Sequence, residues 1–189
     1  MDFRASLVLS TIFTLSEIGL GIVKRARSGN SHLADRGSLA LIWTVIMLCV
    51  MLAFSLKAKL TTLNFGVMLP AARALGVVLF CVGLAIRWYA IIYLGRFFTV
   101  NVAIASDHRL IDAGPYRYIR HPSYAGALAA FLGLGLCIGN WASVLALTAP
   151  ILAVFLRRMH VEEAALIRGL GSPYRNYMRR TKRLIPHIY

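Results

Sequence analysis

Five continuously apolar stretches, separated by polar and basic segments, set the plan of this chain. They cover about residues 5–23, 38–56, 71–93, 122–138 and 141–156. Each approaches the roughly 20 residues that an α-helix needs to cross a bilayer. Apolar and polar positions do not alternate within them, which argues against a transmembrane β-barrel. Pro70 stands near the start of the third stretch, and Pro122 opens the fourth. The fourth and fifth are short and meet at Gly139-Asn140, so they read as an antiparallel hairpin. Beyond the fifth, a helical pattern runs from Arg157 to Leu170. Gly171-Ser172-Pro173 then stops one helix and starts another, on which Tyr174 and Tyr177 lie three apart. The pattern predicts an all-α, polytopic integral membrane protein with about five transmembrane helices and a C-terminal helical tail. It reads as a single domain over residues 1–189, with the N-terminal spans in 1–94 and the polar clusters in 95–189.

Composition supports the membrane reading, since 59% of the 189 residues are hydrophobic and a soluble domain does not carry that much apolar surface. A net charge of +14 would suggest nucleic acid in a soluble protein. In a membrane protein it instead marks the loops that face the cytoplasm and its anionic lipid. With the tail placed in the cytoplasm, that side collects sixteen of the 21 Lys and Arg residues. The other side holds Arg4, Lys57, Lys59 and Arg73. Lys24, Arg25 and Arg27 follow the first apolar run rather than precede it, so that run is expected to stay as a membrane helix and not as a signal peptide. Cys49, Cys81 and Cys137 sit in apolar runs at spacings that match no zinc or redox motif. They read as small hydrophobes without a disulfide.

Two charges lie inside spans, Glu17 in the first and Arg87 in the third. Charges there are expensive and usually face a partner or a cavity. Arg87 either lines a polar cavity or snorkels to the interface beside Trp88 and Tyr89. Glu17 is too short to reach far and calls for an internal partner.

Chemistry-bearing residues gather at two places. Arg120-His121-Pro122 opens the fourth span, where proline suits a first helical turn and a helix N-terminus beside Arg and His makes an anion site. The alternative is contact with lipid headgroups. Arg158 and Glu162 are four apart and share a helix face, either as a plain exposed ion pair or with Arg158 binding an anionic substrate while Glu162 binds a cation. Glu162 and Glu163 are the only acidic residues of the tail, among eight Arg and Lys. The polar segment 95–119 carries Asp107, His108 and Asp112, and loops that long are often functional. There is no phosphate-binding loop, no His-Glu-x-x-His and no metal-ligand set. Gly133, Gly135 and Gly139 lie in a membrane span and read as sites of close helix packing.

Gly114-x-Tyr116 followed by Arg120-His121-Pro122-Ser123-Tyr124-x-Gly126 resembles the core motif of the isoprenylcysteine carboxyl methyltransferases. His108-x-Leu110-Ile111 upstream fits too. Downstream, Arg158, Glu162-Glu163, Leu166, Gly171, Tyr174, Tyr177 and Ile185-Pro186 follow that family's second motif in order and spacing. The resemblance covers the half from about Gly95 onward, and the small five-span build is similar to prokaryotic members. The wider superfamily includes phospholipid methyltransferases. It implies S-adenosylmethionine as methyl donor, with S-adenosylhomocysteine as product, held at the cytoplasmic face without a Rossmann domain. His108, Arg109, Leu110, Ile111, Tyr116, Arg120, His121, Pro122, Ser123 and Tyr124 would line the donor pocket, and Glu162 would engage the donor. Arg158 would hold the acceptor carboxylate, with Glu163 beside it, and the lipid part of the acceptor would enter laterally between helices. Residues 95–189 then become the cofactor-binding and catalytic half.

The implied reaction suits the absence of a nucleophile or triad. Methyl transfer from a sulfonium to a carboxylate is a direct displacement that rests on positioning and on excluding water. A phospholipid amine acceptor is the alternative, with Glu163 or His160 available to take its proton. Arg158 favours a carboxylate. A transporter or membrane binding protein is the reading from another class, but repeated halves and broken helices are not visible.

Overall fold

The computed structural model of the protein describes residues 3–25, 36–95 and 110–189. Six α-helices account for most of these: α1 (Phe3–Arg25), α2 (Arg36–Lys59), α3 (Leu69–Leu94), α4 (Pro122–Ile138), α5 (Trp141–Leu170) and α6 (Ser172–Arg180). No strand forms among the described residues, and only the isolated bridges Asn64–Asn140 and Ile119–Lys182 occur. The segments Ala40–Lys59, Gly66–Leu94 and Trp141–Leu170 are long and apolar enough to cross a membrane, and Ser6–Leu20 and Pro122–Ile138 are shorter apolar helices. The chain is an integral membrane protein.

The fifth apolar run and the first part of the tail are one 30-residue helix, α5. The change from apolar to charged at Arg157 alters what the helix faces, not its backbone, because no proline follows Pro150 before Gly171. That glycine adopts a φ of +64°, a conformation that costs a residue with a Cβ. Pro150 is accommodated at an exposed position within α5.

Helix α4 is the hub, packing against α3, α5 and α1, while α2 packs on α5. Its seam with α3 is built from glycines seven residues apart on each helix: Gly76 meets Gly133 and Gly83 meets Gly126. A Cβ on Gly126 would lie 2.5 Å from the Gly83 carbonyl oxygen, and one on Gly76 would lie 2.6 Å from that of Gly133. Small residues let helix backbones touch where hydrophobicity gives no drive to associate. Gly135 serves the same purpose against Val144 of α5. The close packing expected of Gly133 and Gly135 is present, and Gly76, Gly83 and Gly126 complete it, whereas Gly139 lies outside the span and ends α4 at a φ of +79°. The core between α4 and α5 is filled by Phe131, Leu134, Leu147, Ile151, Phe155 and Met159, all nearly or fully buried.

At the end away from the Arg120–His121 motif, the unpaired carbonyls of the α4 C-terminus are met by cations, as helix ends favour. Lys57 donates to the Gly139 carbonyl at 3.2 Å and to Asn64 Oδ1 at 3.0 Å, and Arg73 Nε donates to the Cys137 carbonyl at 3.3 Å. Asn140 caps α5 by accepting from Ser143 N at 3.2 Å, and Ser143 Oγ donates to the Ala53 carbonyl at 2.6 Å, joining α5 to α2.

Candidate active site

The sequence puts Pro122 at the first position of α4, so the chain must arrive there extended, and His121 sits in that half-turned position at φ −126°. The C-terminal tail fixes this entry. Arg120 N donates to the Lys182 carbonyl at 2.7 Å, and His121 N donates to the Arg183 carbonyl at 3.0 Å. The Arg120 guanidinium adds donations to the carbonyls of Met178 (3.3 Å) and Thr181. The tail is thus strapped to the start of α4.

The two adjacent glutamates of α5 do different things. Glu163 is buried and enclosed by nitrogen donors: Arg120 Nε at 2.8 Å and His121 Nε2 at 3.2 Å on Oε1, and Arg183 Nε at 3.0 Å and Nη2 at 2.7 Å on Oε2. The anion met by Arg120 and His121 is therefore the chain's own. A carboxylate partner also requires the His121 proton on Nε2. The hydrogen bonds from Arg183 to Glu163 hold the Arg183 guanidinium pKa above its ordinary value.

Glu162 is 23% exposed and holds a looser set. Its Oε1 accepts from the Tyr124 hydroxyl at 2.6 Å and from Arg158 Nε at 3.0 Å, and its Oε2 lies 3.8 Å from His121 Nδ1. The Arg158 side chain is 2% exposed, so this is not a surface ion pair. Its placement under the protein surface gives its charge far more influence than the same pair would have in water.

Aromatic side chains wall the cluster. The Tyr124 ring stands 5.7 Å from His121 and 4.9 Å from Phe155. Tyr116 is buried and donates to the Ala90 carbonyl at 3.1 Å, while Tyr177 donates to the Tyr116 carbonyl at 2.6 Å. Burial pushes the Tyr177 phenol up to about 12 and raises the Tyr116 and Tyr174 phenols as well, so all three stay neutral at physiological pH. Gly114 adopts a φ of +57°, and a Cβ there would run into the Tyr93 ring at 2.5 Å.

Glu17 and Arg87 are each other's partners. Arg87 Nε and Nη2 donate to the two Glu17 oxygens at 2.5 and 2.6 Å, and Nη1 donates to the Ser123 carbonyl at 3.2 Å. Arg87 therefore neither snorkels nor stands alone in a cavity. An apolar groove lined by Leu128, Ala129, Leu132, Thr148 and Leu152 runs between α4 and α5. Tyr124, Leu128 and Leu132 repeat at intervals of four and so share one face of α4.

Arg120, His121, Pro122, Ser123, Tyr124, Arg158, Glu162, Glu163 and Tyr116 thus converge on one end of the bundle. Leu110 and Ile111 are half-buried in the segment leading to it. His108 and Arg109 lie outside the described residues. His160 is exposed on α5. Arg183 and the Glu17–Arg87 pair belong to the same end and were not legible as such. Arg183 stands directly before the Leu184-Ile185-Pro186 run, which was the one signal available for it.

The model of the isoprenylcysteine carboxyl methyltransferase (ICMT) family matches residues 75–168, a segment that includes Arg87, the α4 motif and both glutamates. The chain is 34% identical over 128 residues to a protein-S-isoprenylcysteine O-methyltransferase of Schizosaccharomyces pombe, covering 67% of this chain and 53% of that one. It is 32% identical over 115 residues to a probable protein-S-isoprenylcysteine O-methyltransferase of Oryza sativa subsp. indica, covering 60% of each. Among solved structures, it superposes on the eukaryotic intramembrane Ras methyltransferase ICMT with a TM-score of 0.59 at 27% identity, over 71% of this chain and 52% of that one. The chain spans little more than half the length of the relatives it matches. The matched segment carries the site and is shared in sequence and in fold, so the chain belongs to the isoprenylcysteine carboxyl methyltransferase family.

Proposed function

We propose that this protein is an S-adenosylmethionine-dependent methyltransferase that esterifies the carboxylate of a lipophilic acceptor, such as a prenylated cysteine, at the cytoplasmic face of the membrane. The observation that carries this is the unequal pair on α5. Glu163 is consumed by structure, while Glu162, Tyr124 and Arg158 form a partly open cluster that joins an anion, a cation and an aromatic face.

That set suits the donor chemically. When bound, S-adenosylmethionine supplies a methyl group on a positively charged sulfur. Aromatic faces attract such cations, and the Tyr124 ring and the Glu162 carboxylate offer both kinds of partner. His121 and Tyr116 extend the wall on one side, with Leu110 and Ile111 on the approach. His108 and Arg109 are proposed to complete it. Arg158, aimed by its bond to Glu162, faces the acceptor carboxylate. An arginine there favours a carboxylate over an amine, because a cationic headgroup is repelled. The groove lined by Leu128, Leu132 and Leu152, on the same face of α4 as Tyr124, receives the lipid chain laterally. No general base is required, so the residues bind, orient and exclude water. The basic bias of the loops supports the cytoplasmic placement.

The test is transfer of a labelled methyl group from S-adenosylmethionine by purified protein in lipid. The acceptors are a farnesylated cysteine analogue, phosphatidylethanolamine and a fatty acid. Base-labile label on the farnesylated acid is expected. Label on the amine lipid would replace carboxyl by amine methylation, and no label on any acceptor would sink the proposal.

A further inference from the structure

Helix α1 lies outside the family-matched segment 75–168, and among the helices it packs chiefly on α4. Two contacts fasten it. Phe13 meets Phe131 at 4.6 Å between ring centroids, and Glu17 forms the bidentate pair with Arg87. The pair is nearly closed to solvent, at 11% exposure for Glu17 and 12% for Arg87.

The third arm of Arg87 gives this pair its meaning. Nη1 donates to the Ser123 carbonyl at 3.2 Å, and Ser123 stands between His121 and Tyr124 at the start of α4. Gly126 is pressed against the Arg87 backbone, where a Cβ would lie 2.7 Å from Arg87 N. The guanidinium is therefore fixed on the α3 side by the glycine seam and in orientation by Glu17. A guanidinium is planar and presents its donors in a rigid fork. Holding Nε and Nη2 on one carboxylate sets the direction of Nη1.

We propose that Glu17 is a positioning residue for the methyl-transfer site. Its carboxylate aims Arg87 so that the Arg87 fork clamps the Ser123 carbonyl, and this sets the first turn of α4, from which His121 and Tyr124 reach the two glutamates. Through it α1 takes part in a site otherwise built from the family-matched segment and the C-terminal strap. The role rests on the methyltransferase reading for its effect on turnover, but its structural half can be read without any reaction.

Three forms of the full chain in lipid are compared: wild type, Glu17→Gln, and a double variant in which Glu17→Met is combined with Arg87→Met. In the single variant a buried guanidinium loses its counter-charge, which lowers thermal stability. The double variant removes both charges and restores the melting temperature to near the wild-type value, as replacement of a buried pair by apolar groups often does. A merely structural pair predicts that turnover returns with stability. Positioning predicts that it does not, because the Ser123 carbonyl has lost the Arg87 donor that tied it to α3. Expected for the double variant are a loss of at least tenfold in kcat, a donor KM raised severalfold because His121 and Tyr124 line the proposed donor pocket, and at least tenfold faster amide exchange across residues 120–125. Wild-type kcat and wild-type exchange in a stably folded double variant would overturn the proposal. If the double variant melts well below wild type, amide exchange of the folded single variant decides in the same way. If wild-type protein transfers no methyl group to any acceptor, the methyltransferase reading fails by itself, and the exchange rates still decide whether Glu17 positions α4.

Discussion

Two neighbouring glutamates with the same chemistry are expected to respond oppositely to the same change. Glu163→Gln removes the only anion that Arg120, His121 and Arg183 share. Breaking a buried charge cluster from one side costs roughly 3–5 kcal/mol, so this variant should melt far below wild type. Glu162→Gln keeps the Tyr124 and Arg158 contacts within reach of an amide oxygen. It should melt near wild type and lose turnover and donor binding. Unfolding curves and methyl-transfer rates measured side by side check both. Equal stability losses in the two variants would erase the distinction between an anchoring and a working carboxylate. The sequence did mark both glutamates, because they stand alone among the basic residues of the tail. It could not assign their roles, since helix periodicity says which face a residue takes but not what comes to meet it. Arg183 reaches Glu163 from 20 positions away. Glu17 and Arg87, 70 apart, could each be read only as a costly charge in search of a partner.

Among the elements, the α3–α4 seam is the most sensitive to volume. Gly83→Ala or Gly126→Ala forces a Cβ to within 2.5 Å of a backbone oxygen on the facing helix. Overpacking of this kind costs typically about 1–3 kcal/mol. Gly19 of α1 is the control, with nothing within 4 Å of a Cβ built there. Gly19→Ala should be neutral or stabilise by up to about 1 kcal/mol, the ordinary helix preference for alanine over glycine. Thermal unfolding in lipid separates the two classes, and equal effects at Gly19 and Gly126 would remove the seam from the account. The helices themselves were legible from apolar runs, and the α4–α5 hairpin from Gly139-Asn140. Of the four seam glycines, only Gly133 was legible as a packing position. The repeats Gly76/Gly83 and Gly126/Gly133 share a seven-residue interval, but nothing local says that two separate runs will face one another. The junction at Arg157 was equally ambiguous, because polarity reports the surroundings of a helix and not its end.

At the scale of the whole molecule, the cluster stands where three separate parts of the chain converge: the α4 entry, the far part of α5 and the strap at residues 181–184. This explains why a compact sequence motif covers only part of it. Helix α5 is continuous over 30 residues, about 45 Å at 1.5 Å per residue, against a hydrocarbon core of roughly 30 Å. Arg158, Glu162 and Glu163 lie in its last half, on a rod with no break until Gly171. The height of the candidate site above the hydrocarbon is then tied to how deeply that rod is seated. Lipids with longer or shorter acyl chains change tilt and depth at modest energetic cost. Methyl-transfer rates in bilayers of graded chain length should therefore pass through an optimum, whereas a flat profile would mean that α5 and the acceptor shift together. Membrane thickness, which touches no residue of the site, thereby becomes a determinant of its rate.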